Sequence, residues 1–97
     1  MIRADVITLI STPTHGVFED AQEYRRQVYC NVESVSRAEF YAAMQYNLSP
    51  SVVFVLSDYA EYHGEKLCEW NGKRYDIIRT YVDGLKVELT CEESKLP

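Results

Sequence analysis

The chain has 97 residues, 46% of them hydrophobic and 26% charged, which is enough for one globular domain with its own core and argues against disorder. Fifteen acidic against ten basic residues leave a net charge of −5, and no run of Lys and Arg is long enough to neutralise a phosphate backbone, so the composition points to a protein partner rather than DNA or RNA. No apolar run approaches the roughly 20 residues a membrane span needs, and the N-terminus lacks the basic region and apolar core of a secretory signal.

Residues 5–10, DVITLI, read as a first strand with a β-branched bias. Residues 11–16 hold Pro13, Gly16 and hydroxyl side chains and read as a turn, and the polar, weakly periodic residues 17–26 read as an exposed loop. Residues 27–35 alternate, with Val28, Cys30 and Val32 on one side and Tyr29, Asn31 and Glu33 on the other, as a second strand should. Ser36-Arg37-Ala38-Glu39 is a capping box: the Ser36 hydroxyl accepts from the Glu39 amide, and the Glu39 carboxylate reaches back to the Ser36 amide. It opens a helix of about three turns that carries the apolar stripe Phe40, Met44 and Leu48, with Tyr41 beside it, and stops near Asn47 before Pro50.

Residues 51–56, SVVFVL, have too little polarity for a half-exposed edge and read as a strand covered on both sides. Residues 58–65 form a polar connection with aromatics, in which Asp58, Glu61 and Glu65 read as solvated loop charges. Two hairpin signals follow. Asn71-Gly72 comes after residues 67–70, and Asp83-Gly84 joins residues 75–82 to 85–90; both pairs tolerate the positive φ of a type I′ turn. A turn at 71–72 places Glu69 opposite Arg74, and a turn at 83–84 places Arg79 opposite Glu88. The second register also aligns Val82 with Leu85, Thr80 with Val87 and Ile78 with Leu89 as one mostly apolar face. Six strands and one short helix predict an all-β, α-light fold: a closed or nearly closed antiparallel β-barrel, residues 1–97 forming a single domain. Trp70, Asn71, Gly72, Tyr75, Ile77, Asp83 and Gly84 are its expected turn and core residues.

The chemistry-bearing residues are sparse. Three cysteines, Cys30, Cys68 and Cys91, with no C-x-x-C spacing, read as reduced, buried, apolar-like thiols. His15 and His63 lack the i, i+4 partner of a metal site, the acidic group at 58–65 lacks calcium-loop spacing, and the four glycines are isolated, so no phosphate cradle forms. His63 beside Cys68 is the one conceivable nucleophile pair, and a packed thiol is the simpler reading. No enzyme, cofactor or metal is expected. Eight tyrosines are the compositional oddity, and tyrosine delivers contact area with few rotatable bonds.

The opening D-V-I-T-L strand, a long polar loop, a strand ending in S-R-A-E-F-Y before a short helix, the hydrophobic strand after Pro50, and then W-N-G-K-R-Y-D-I-I-R-T-Y-V-D-G-L-K-V-E-L resemble the small head-closure, or head-tail joining, proteins of long-tailed bacteriophages and prophages. The resemblance covers residues 4–91. It implies a virion protein made in the bacterial host cytoplasm. Such proteins form an oligomeric ring, dodecameric on the connector, below the portal and its adaptor. They close the DNA-filled head, meet DNA only by proximity, and offer the tail-terminator protein a docking surface. On that reading the loops contact neighbours, and Tyr24, Arg25, Arg26, Tyr59, Glu61, Tyr62 and Glu65 are the candidate interface residues. The alternative is an OB-like or SH3-like barrel that binds peptide or nucleic acid through an aromatic face, although Tyr59 and Tyr62 are flanked here by acids rather than bases. A small enzyme subunit is a weaker third reading, because no paired acid and base is present.

Overall fold

A computed structural model describes residues 5–11 and 24–94. Six strands run in chain order: β1 (Asp5–Ser11), β2 (Tyr24–Glu33), β3 (Val52–Leu56), β4 (Leu67–Trp70), β5 (Lys73–Asp83) and β6 (Lys86–Glu93), with the helix α1 (Arg37–Met44) between β2 and β3. They close into an antiparallel barrel in the order β1-β2-β3-β6-β5-β4, with β4 returning to β1. The fold class read from the sequence is therefore the observed one. Inward residues alternate along the strands. Ile7 and Leu9, Val28 and Cys30, Cys68 and Tyr75, and Val87, Leu89 and Cys91 fill one core with Val52, Phe54 and Leu56. All five residues of β3 are buried, as its unbroken apolar run requires. The Phe54 ring meets Trp70 edge-on at 5.5 Å and Tyr75 at 5.9 Å, which joins the first hairpin to the central strand.

Local signals account for several of these elements. Asn71 at φ 52 and Gly72 at φ 77 make the type I′ turn, and Glu69 faces Arg74 as the turn dictates. The Ser36 hydroxyl accepts from the Glu39 amide at 3.1 Å and starts α1, while Asn47 at φ 60 ends its trailing turn. The other half of the capping box does not form. The Glu39 carboxylate instead takes Arg79 at 3.3 Å and the Thr90 hydroxyl at 3.2 Å, so it ties the helix to β5 and β6.

Other expectations are corrected. Residues 24–26 belong to β2 rather than to an exposed loop, because Ser11, Ile10 and Leu9 of β1 pair with Tyr24, Arg25 and Arg26. The rest of the segments read as turn and loop, 12–23, lies outside the described residues. β2 also stops at Glu33, short of Val35. The second turn uses Gly84 and Leu85 rather than Asp83 and Gly84, so Asp83 faces Lys86, Tyr81 faces Glu88, and Arg79 faces Thr90. Gly84 at φ 65 followed by a residue without positive φ is the type II′ pattern, which an Asp-Gly pair conceals when it is scanned for type I′. The register moves by two positions, which leaves the same residues of β6 facing inward, so alternation could not separate the two solutions. A bulge between Ile77 and Arg79 then resets the phase and points Ile77 into the barrel. The expected apolar face fails at its tip, where Val82 is 54% and Leu85 69% exposed. The α1 stripe is outward too: Phe40, Tyr41 and Met44 are exposed and the helix buries no residue, because the barrel it lies against has already filled its own core.

Candidate interaction surface

One end of the barrel gathers most of the residues singled out by sequence. The connection from β3 to β4 crosses that end. Asp58 caps a single 3₁₀ turn, Tyr59–Glu61, by accepting from the Ala60 amide at 2.9 Å, and the Tyr59 amide donates to the Leu85 carbonyl at 2.6 Å, which holds the turn against the tip of the β5–β6 hairpin. Tyr62 packs against the core and donates its hydroxyl to the Glu65 carbonyl at 2.6 Å. Gly64 at φ 88 lets the chain reverse. Glu65, 7% exposed, then accepts from the Arg26 guanidinium at 2.6 Å and from the His63 amide at 2.8 Å.

This overturns the reading of Glu65 as a solvated loop charge: it is the buried half of a latch from β2 to the connection. Burial pushes the Glu65 carboxyl up. The donors around it, its own backbone N–H, Arg26 and the His63 N–H, outweigh that and hold it below the usual glutamate range. Burial, followed by the Glu65 charge, pushes the Tyr62 phenol up.

The structure thus divides the candidate residues. Arg26, Tyr62 and Glu65 act inside the fold, whereas Tyr24 and Tyr59 are exposed. Arg25 reaches Glu69 at 3.5 Å on the outside of the sheet, and Glu61 is half-exposed. Trp70, Tyr75 and Ile77 line or abut the core, and Asn71, Gly72, Asp83 and Gly84 belong to the two hairpin ends. Sequence reasoning missed the hairpin tip, where Tyr81, Val82 and Leu85 stand exposed near Tyr59, and the outward face of α1. A groove of about 200 Å³ beneath the helix, lined by Ala42, Ala43, Tyr46, Leu48 and Ile78, was also unforeseen. The adjacent small residues Ala42 and Ala43 were its one available signal. Six of the eight tyrosines are exposed, and only Tyr62 and Tyr75 pack inward.

The three thiols are buried and free. The Cys68 and Cys91 sulfurs lie 3.9 Å apart, but β5 separates their strands, so at about 4.8 Å per strand spacing their backbones stand beyond the reach of a disulfide. The hydrogen bond with Cys68 and burial push the Cys91 thiol far up, and burial, with Asp5 and Cys68, pushes Cys30 up to about 12. Such thiols are poor nucleophiles. Cys68 contacts Cys91 inside the barrel, while His63 is exposed on the connection, so the conceivable pair does not assemble. His15 lies outside the described residues. Among the described residues no group of three His, Cys, Asp or Glu could hold a metal ion, and no helix is long and apolar enough to cross a membrane. No protein-family profile matches the chain, and no curated protein sequence matches it.

Proposed function

We propose that this chain is a structural component of a phage head-tail connector: a rigid barrel that joins a ring below the portal and its adaptor, closes the DNA-filled head and presents a docking surface to the tail terminator. One observation carries the reading. A closed barrel with its helix inserted between β2 and β3, the element order on which the resemblance rests, displays Tyr24, Tyr59, Tyr81, Val82 and Leu85 at one end and Phe40, Tyr41 and Met44 on an outer helix. Exposed aromatic and aliphatic side chains on a rigid body suit protein docking. The net charge of −5 makes DNA a neighbour rather than a ligand. A nucleic-acid barrel would set its aromatics among bases, whereas Tyr59 sits between Asp58 and Glu61 and the Tyr62 ring is turned to the core.

Sedimentation of the purified chain with DNA-filled heads tests this. Binding is expected to heads that carry portal and adaptor and not to heads lacking them, with duplex DNA bound no better than by a control protein of equal charge. Tight single-stranded nucleic-acid or peptide binding without head association would transfer the barrel to the binding-module class.

A further inference from the structure

The barrel is closed, but not along its whole height. β4 pairs with β5 only from Lys73 to Asp76, and one further bond, from the Ile77 amide to the Lys66 carbonyl at 2.9 Å, extends the seam. Beyond it, among the described residues, β5 pairs with β6 alone, and Arg79, Thr80, Tyr81, Val82 and Asp83 are all exposed. The hairpin geometry says which main-chain groups face outward from this edge. The two-residue turn makes Asp83 and Lys86 a hydrogen-bonded pair; bonded and non-bonded pairs then alternate, so Tyr81 with Glu88 and Arg79 with Thr90 are bonded, while Val82 with Val87 and Thr80 with Leu89 are not. The amides and carbonyls of Thr80 and Val82 therefore point away from β6, toward any strand laid beside β5.

The edge is complementary to itself. Laid antiparallel against a second copy about a two-fold axis at Tyr81, it brings Arg79 opposite Asp83 of the second copy and Asp83 opposite its Arg79. Thr80 then faces Val82, and Tyr81 faces Tyr81. Both Thr80–Val82 pairs have their outward-pointing main-chain groups, unpaired among the described residues, in line, which gives four hydrogen bonds, and the charges meet as opposites at both ends. A one-step slide in either direction loses one or the other. We propose that two copies of this chain associate through the β5 edge as an isologous dimer, with Arg79 and Asp83 fixing the register. Charges on an exposed edge usually repel stray strands. Here they reject other partners and admit this one. The contact is one short strand long, which sets the dissociation constant on the order of 100 μM. The dimer is a property of the free chain and does not depend on the connector role.

The test uses the full chain. Sedimentation over a concentration series should show a monomer–dimer equilibrium that Asp83→Arg weakens roughly tenfold and that the double swap Arg79→Asp with Asp83→Arg restores to within about threefold. Tyr81→Cys should be captured as a covalent dimer by oxidised glutathione, because a non-bonded antiparallel pair sets the two backbones about 4.5 Å apart, within disulfide range. An equivalent Lys73→Cys should not be captured, and the native thiols are buried. A wild-type chain that stays monomeric to roughly 1 mM would overturn the dimer, as would insensitivity to Asp83→Arg or a double swap that fails to recover. If Asp83→Arg or the double swap, which also removes the Arg79–Glu39 bond at 3.3 Å, lowers the melting temperature, the Tyr81→Cys capture decides alone, and its failure overturns the proposal.

Discussion

Replacing Glu65 by alanine should destabilise the barrel far more than replacing Glu61, although both lie on one short polar connection. Glu65 receives Arg26 at 2.6 Å and the His63 amide at 2.8 Å while almost wholly buried. Hydrogen bonds to a charged group contribute about 1.5–3 kcal/mol each, and removing one partner of a fully buried pair costs about 3–5 kcal/mol. The Arg26 side chain is 35% exposed and recovers water once the carboxylate is gone, so the lower part of that span applies, about 2–3 kcal/mol. For a domain of this size that corresponds to a fall in Tm of about 10–20 °C. Glu61, half-exposed, should stay within about 0.5 kcal/mol. Thermal denaturation by circular dichroism measures both. A double-mutant cycle with Arg26→Met should give a coupling of about 1–2 kcal/mol, since the two side chains touch. Equal effects of Glu65→Ala and Glu61→Ala, or a coupling near zero, would refute the latch and return Glu65 to the solvated loop.

Acid should act through the same carboxylate: the unfolded chain takes up the Glu65 proton first, so the latch is fully present above the ordinary glutamate range and lost as pH falls through the depressed folded value. Glu65→Gln should flatten Tm against pH in that window and leave the neutral region parallel to wild type. At high pH the sign reverses for Cys30, whose raised folded value means that stability is intact below the ordinary thiol range and falls as pH rises toward about 12; Cys30→Ala should remove part of that slope. A thiol reagent should find no cysteine in the native protein and three after denaturation, and rapid labelling of the native chain would contradict the packed core. Trp70→Ala, which strips an edge-on partner from Phe54, should cost about 3 kcal/mol. Gly72→Val meets open space but forces a β-branched residue to φ 77, for about 1–3 kcal/mol by denaturant titration.

Much of the fold was legible because its signals are local. Asn71-Gly72 dictates a turn, a register and the Glu69–Arg74 pair together, and the unbroken run in β3 admits only a strand covered on both faces. The second hairpin was harder. Asp83-Gly84 and Gly84-Leu85 are both acceptable turns that leave the same β6 residues inward, and the bulge after Ile77 has no sequence signature at all. The latch was illegible for another reason: the partners Arg26 and Glu65 are 39 residues apart, each in a polar segment, and only closure of the barrel brings them together. Polarity marks a residue that needs water or a partner, and sequence alone does not say which. The same ambiguity holds for Glu39, whose spacing from Ser36 points to its own helix cap while its carboxylate reaches across to Arg79 and Thr90.

The proposed connector role is tested most directly by electron microscopy of phage particles assembled with and without this chain. The proposed role predicts heads that package DNA, leak it and fail to join tails, with normal particles restored when the chain is supplied in trans. Tailed, DNA-filled virions in normal numbers without the chain would contradict it.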